Sequence, residues 1–191
     1  LTLEEAFRQL PSFTTSRLLL RPLQESDAVA MFAIKSNSLV TTPYGTEPHT
    51  TLDQSKKWIG EVISDYRRGG SMTWVVSLRG ADRVIGSCCY WHIDKESLCA
   101  EVGYELYAEY WRKGVMSEAL APVLAYGFDG LGLHRIEACP LADNAASNTL
   151  LVRFGFRLEG TLRERVQFRG RFIDQRCYSL LNGELKSAPP P

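Results

Sequence analysis

Three strand-like runs in close succession constrain this chain more than any other feature. They are Met72–Leu78, 84–93 and Cys99–Leu106, separated only by short polar segments around RGADR and DKES. Parallel neighbours need a crossover of about a dozen residues or more, whereas links this short make hairpins. The segment predicts an antiparallel meander, whose faces must be buried by other elements.

The flanks supply those elements. Upstream, 17–21 (RLLLR) reads as a strand, 25–36 as a loose helix carrying Val29, Met31, Phe32 and Ile34, and 52–66 as a helix with Trp58, Ile59, Val62 and Ile63 on one side. Arg68-Gly69-Gly70 closes that helix. Residues 41–50 (TTPYGTEPHT) hold two Pro and one Gly and read as loop. Downstream, 114–128 reads as a helix with Val115, Ala119, Leu120, Val123 and Leu124 inward. Pro122 inside it predicts a kink or a missing hydrogen bond. Then come a short strand at 135–139, a helix at Ala145–Phe154 closed by Gly155, and strands at Arg157–Phe168 and 172–181 around a turn at Arg169-Gly170. Thr2-x-x-Glu5 predicts a capped helix ending before Pro11, and 186–191 (KSAPPP) a disordered tail. The order gives an α+β (mixed α/β) class. We expect one domain over 1–191, with its core at about 14–182 and a helical extension over 1–13.

Composition narrows the function classes. The 191 residues are 45% hydrophobic, which excludes a disordered chain. Lys+Arg and Asp+Glu each number 22, so no net charge draws the protein to nucleic acid or to an anionic membrane. No apolar run approaches the roughly 18 residues of a membrane span. Leu1-Thr2-Leu3-Glu4-Glu5 lacks the basic-then-apolar pattern of a leader. Cys88, Cys89, Cys99, Cys139 and Cys177 are odd in number and without C-x-x-C spacing, which fits thiols in a reducing compartment. The expected location is cytoplasmic. His49, His92 and His134 have no partners at ligand spacing, so no metal is expected.

The segment with most chemistry runs from Tyr104 to Leu120 (YELYAEYWRKGVMSEAL). A strand enters a short basic loop, and the loop opens a helix. The first helical turn carries N–H groups without helical partners and a partial positive charge. Gly114 permits close backbone approach, and Arg112 and Lys113 add charge, which together suit a phosphate or pyrophosphate. An ordinary strand–helix junction with two solvated bases has about equal weight on this segment alone. The loop is neither a P-loop nor a dinucleotide fingerprint. Glu118, in the first helical turn, reads as a structural partner of the dipole.

Trp111-Arg112-Lys113-Gly114-Val115-Met116 resembles the acetyl-CoA pyrophosphate loop of the GNAT acetyltransferase superfamily, whose pattern is Q/R-x-x-G-x-G/A. Trp111 and Met116 depart from it at the first and last positions. The branch that the chain most resembles contains the ribosomal-protein N-terminal (alanine/serine) acetyltransferases. Thr15-Ser16-Arg17-Leu18-Leu19-Leu20-Arg21-Pro22, Val84-Ile85-Gly86, Glu101-Val102-Gly103-Tyr104, His134-Arg135-Ile136-Glu137-Ala138, Asn144-x-x-Ser147 and Gly155-Phe156-x-x-Glu159-Gly160 follow the branch in order over about residues 14 to 182.

That resemblance implies a twisted, mostly antiparallel sheet with helices on both faces and a splay between strands four (Cys99–Leu106) and five (135–139). It implies acetyl-CoA as cosubstrate, with the pantetheine arm in the splay. Leu106 would offer backbone groups to that arm, the amides of Arg112, Lys113, Gly114, Val115, Met116 and Ser117 would hold the pyrophosphate, and Asn144 would bond the arm or the substrate. Ser147 would protonate the leaving thiolate. The base would be Glu101 or Glu164, or a water chain, each carboxylate also readable as an ion-pair partner of an arginine, and Ser147 and Asn144 are also readable as helix-start residues. The acceptor would be a protein N-terminus or a small amine, attacking directly in a ternary complex. Homodimers are common in this group. Tyr104 and its aromatic neighbours read as sheet packing. Two other readings remain: a noncatalytic acyl-CoA-binding sensor, and a phosphate-binding domain for another nucleotide.

Overall fold

Eight strands form one sheet in the computed structural model, which describes residues 3–81 and 83–186. They are β1 (Phe13–Thr14), β2 (Leu18–Pro22), β3 (Met72–Leu78), β4 (Val84–Asp94), β5 (Cys99–Leu106), β6 (Arg135–Ala138), β7 (Arg157–Phe168) and β8 (Arg171–Leu181). The spatial order is β1-β2-β3-β4-β5-β6-β8-β7. The meander β3-β4-β5 is antiparallel, as its short links require. β5 and β6 form a parallel pair, and the other described pairings are antiparallel. The expected class and mostly antiparallel sheet are therefore observed. β1 was not anticipated, so the expected fourth and fifth strands are β5 and β6.

The helices are α1 (Leu3–Ala6), α2 (Ala28–Lys35), α3 (Ser38–Thr41), α4 (Leu52–Arg67), α5 (Val115–Ala125) and α6 (Ala145–Phe154). Helices cover both faces. One core joins α5 and α6 to the sheet through Trp74, Tyr90, Val102, Leu120, Leu124, Leu151 and Phe154. A smaller one packs Met31 and Ile34 of α2 and Ile59 of α4 on Val75 and Val84. Strand alternation separates the two, since Trp74 and Val76 face the first and Val75 the second.

Three expectations need correction. The helix expected over 25–36 is a 3-10 turn at Glu25–Asp27 followed by α2. The loop expected over 41–50 instead begins with the end of α3 and a 3-10 turn at Thr42–Tyr44. Pro43 sits in that first turn, where its missing N–H costs nothing. The helix expected to reach 128 stops at Ala125 and continues as a π turn, Tyr126–Gly130. Pro122 lies inside α5 and has no N–H to continue the ladder. Thr2 of the proposed capping box and residues 187–191 of the tail lie outside the described residues.

Candidate active site

The sheet opens between β5 and β6. They pair only at Cys99↔Arg135, Ala100↔Ile136 and Glu101↔Glu137, while β5 continues to Leu106. This is the expected splay. The Tyr107 N–H donates to Ile85 O at 2.8 Å, which fixes Gly86↔Leu106 as a non-hydrogen-bonded pair with β4. By alternation, the backbone groups of Tyr104 and Leu106 point away from β4 and into the gap. The Leu106 carbonyl is held at 2.8 Å by Nε1 of Trp111. The indole thus folds the basic loop against the end of β5, a role open to Trp at the position where the family pattern has Gln or Arg.

The loop then enters α5. Arg112 (φ 58°) and Gly114 (φ 70°) both take left-handed backbone, and no side chain caps the helix. Alternating left- and right-handed residues gather N–H groups on one side, a concavity suited to an anion. Val115 and Ser117 are buried in the first turn, and Met116 packs against the larger core. Arg112 and Lys113 are exposed and form no ion pair among the described residues. The loop residues therefore fit a pyrophosphate.

Glu118 fastens this helix to the sheet. Its carboxylate accepts from Thr15 Oγ1 (2.6 Å), Ser16 Oγ (2.8 Å), the Arg17 N–H (2.8 Å) and Arg17 Nε (2.6 Å). Burial pushes its pKa up, but these donors outweigh that effect and hold it at about 2. Arg17 Nη1 also donates to the Lys113 carbonyl at 3.0 Å, so the same cluster braces the loop.

Across the gap stands α6. Asn144 is its N-cap, accepting the Ser147 N–H at 3.1 Å, and its Nδ2 donates to Pro43 O at 3.0 Å. Asn148 Nδ2 donates to the carbonyls of Leu141, Ala142 and Asn144, fixing the turn into the helix. Ser147 Oγ lies 2.7 Å from the hydroxyl of Tyr104 on β5. Burial pushes the Tyr104 hydroxyl above its ordinary pKa and keeps it protonated, so it can donate to Ser147. Sequence reasoning assigned Tyr104 to packing. Its register beside the gap, directly before the basic loop, was the available signal.

A family model described as "Acetyltransferase (GNAT) domain" matches residues 17–157. The chain belongs to the GNAT acetyltransferase family. It is related to the ribosomal-protein N-acetyltransferases. An uncharacterized N-acetyltransferase of Bacillus subtilis (strain 168), YoaA, is 37% identical over 171 residues, covering 90% of this chain and 97% of its own. The [ribosomal protein uS5]-alanine N-acetyltransferase of Escherichia coli (strain K12) is 25% identical, covering 84% of this chain and 86% of its own. The spermidine N-acetyltransferase of Vibrio cholerae, solved with CoA and spermine, shares the fold. It has a TM-score of 0.80 at 24% identity, covering 89% of this chain and 98% of that one. Relatives bearing the activity favour an enzyme over a sensor.

In this GNAT domain the carboxylate candidates separate. Glu101 is on β5 at the last paired position before the gap, mostly buried, with Oε2 3.2 Å from His92 Nδ1. Glu164 sits in a bulge of the edge strand β7 (φ 53°), exposed, with its N–H donating to Asp174 Oδ1 at 2.8 Å. Two strands lie between β7 and β5. That is roughly 14 Å at the usual strand spacing, so the fold does not bring Glu164 to Glu101. The arginine pairing considered for Glu164 is also absent among the described residues.

Glu105 is a buried carboxylate that the sequence did not single out. It accepts from Ser87 Oγ (3.1 Å) and from the Tyr44 hydroxyl (2.8 Å), and pairs with Lys35 Nζ at 3.1 Å. Burial and the Glu105 charge push the Tyr44 hydroxyl far above its ordinary pKa. Tyr44 belongs to a strap over 42–47. The strap also meets Asn144 through Pro43 O and Arg169 through Glu47, the latter at 2.7 Å. It crosses from β5 toward the hairpin of β7 and β8 and borders the gap. Among the described residues, no group of His, Cys, Asp and Glu could hold a metal ion, and no helix is long and apolar enough to cross a membrane.

Proposed function

We propose that the chain transfers the acetyl group of acetyl-CoA to a primary amine, a protein N-terminus or a small amine, by direct attack within a ternary complex. The observation that carries this reading is the juxtaposition of three features: a stretch of β5 unpaired on its β6 side, the uncapped N-terminus of α5, and the Tyr104–Ser147 pair.

The amides of Arg112 to Ser117, with Gly114 allowing close approach, bind the pyrophosphate at the positive end of α5. Leu106 and Tyr104 present backbone groups to the pantetheine arm, and an N–H there meets the charge that develops on the carbonyl oxygen. Asn144 holds the start of α6 and bonds the arm or the substrate. Glu101 withdraws a proton from the ammonium, directly or through water, because only the neutral amine can attack. As the C–N bond forms and the C–S bond breaks, Ser147 gives its proton to the departing sulfur. The second proton shed by the amine nitrogen passes to solvent, from which Ser147 is reprotonated, while Tyr104 keeps its own proton and donates a hydrogen bond to Ser147 Oγ. Strand alternation puts Glu101 on the opposite face of β5 from Tyr104. The base and the acid thus stand on opposite sides of the reacting carbon.

An α-amine of a protein and a polyamine both occur as acceptors in the names of the relatives. The acceptor is identified by measuring thiol release from acetyl-CoA with peptides, polyamines and aminoglycosides, and locating the product acetyl group by mass spectrometry. Release that depends on one amine class supports the reading. Binding of acetyl-CoA without release on any amine contradicts it.

A further inference from the structure

The paired segments of β6 and β8 leave two thiols facing each other. The last paired residues are Ala138↔Tyr178, and the Arg176 N–H continues the ladder to Pro140 O at 2.9 Å. Cys139 therefore lies directly opposite Cys177. The bonds from Asn182 N to His134 O and from Arg176 N to Pro140 O fix the alternation and make this a non-hydrogen-bonded pair. Such pairs hold their Cα atoms about 4.5 Å apart with both side chains on one face. That spacing falls inside the range of about 4.4–6.8 Å that a disulfide spans.

Both residues are half-buried and both thiols are free. Cys139 shares the face of Glu137, two positions before it in the chain, and of Glu101, which pairs with Glu137 at the end of the gap. Burial first, then the charge of Glu101 and the neighbouring Cys177, push the Cys139 thiol up to about 12. Cys88 also sits in the protein, but it is fully buried and lies beside Met116.

We infer that Cys139 and Cys177 form a reversible disulfide with a hydroperoxide as oxidant, a modification site on the wall of the gap. One thiolate attacks a peroxide oxygen, the O–O bond breaks, and a sulfenic acid and water (from hydrogen peroxide) result. The facing thiol then attacks the sulfenic sulfur, the S–S bond forms, and the hydroxyl leaves as a second water. Two electrons pass from the two sulfurs to the peroxide. A dithiol reverses the reaction by exchange. The raised pKa of Cys139 makes the first step slow near neutrality and faster as pH rises, because the thiolate is the nucleophile.

The test is a tryptic map of the intact protein after hydrogen peroxide, without reduction. Arg135, Arg153, Arg176 and Lys186 place Cys139 and Cys177 in separate peptides, and both are distinct from the peptides holding Cys88, Cys89 and Cys99. The expected result is one new cross-linked species joining 136–153 to 177–186, lost after dithiothreitol and absent in Cys139→Ser and in Cys177→Ser. Recovery of the two peptides uncrosslinked, or crosslinks to any other cysteine instead, overturns the inference. The readout needs no turnover, so its failure is separate from any failure of the acetyl-transfer reading.

Discussion

The hydroxyl of Tyr104 lies 2.7 Å from Oγ of Ser147, which joins the end of β5, open on its β6 side, to the first turn of α6. One partner comes from the meander and the other from a helix capped 40 residues later. Ser147→Ala should lower kcat by roughly 10- to 100-fold with little change in acetyl-CoA affinity, as expected for loss of an acid used in the transition state. Tyr104→Phe should cost less, and the double variant should cost no more than Ser147→Ala alone, because the two act as one unit. Steady-state kinetics with isothermal titration of acetyl-CoA separates the terms.

Gly114→Asp should abolish acetyl-CoA binding. The substitution forces a side chain onto left-handed backbone and sets a carboxylate at the positive end of α5. Strain alone costs about 1–2 kcal/mol, so a fold check by circular dichroism belongs with the titration. Unchanged affinity in a folded variant would remove the loop from the account.

Glu101→Gln should depress the rate at neutral pH while substrate affinity is kept, and the rate should recover partly at higher pH, where more amine is neutral. Glu164→Gln should leave the rate within about twofold, because the edge strand keeps Glu164 away from the gap. The pH–rate profiles of both variants check the assignment. A reversed pattern moves the base to β7.

Glu118→Gln should destabilise the protein by about 2 kcal/mol, since its carboxylate gathers four charge-assisted or neutral bonds. The melting temperature should fall by roughly 4–8 °C. The sign with pH follows from a carboxyl held at about 2 in the folded protein. The folded pKa lies below the unfolded one of about 4.3. The stabilisation is present above about pH 4.3 and is lost as pH falls toward 2. The melting curves of wild type and Glu118→Gln should therefore converge on acidification. Curves that stay parallel would show that the cluster contributes nothing.

Local order was well encoded in the residues. The meander could be read because links of four or five residues permit one geometry. α6 could be read to the residue, because Asn144 starts it and Gly155, with its φ of 101°, stops it. The π turn after α5 could not, because no single residue encodes it. Residues 41–50 read as loop, but what the strap ties together was not legible, for another reason. Its ties to Glu105, Asn144 and Arg169 span from 61 to 122 residues of sequence, and only the closed sheet brings them together. The same holds for Tyr104, which periodicity assigns to packing and tertiary structure pairs with Ser147. Glu101 was legible as a strand carboxylate, but the distance that sets Glu164 aside depends on strand order β6-β8-β7, which the sequence does not state.

A crystal structure of the protein with CoA is the most direct measurement. The account predicts the diphosphate on the amides of 112–117, the arm alongside Tyr104 and Leu106, and the sulfur within hydrogen-bond reach of Ser147 Oγ. Density for the ligand elsewhere, or an arm that avoids the opening between β5 and β6, would contradict it.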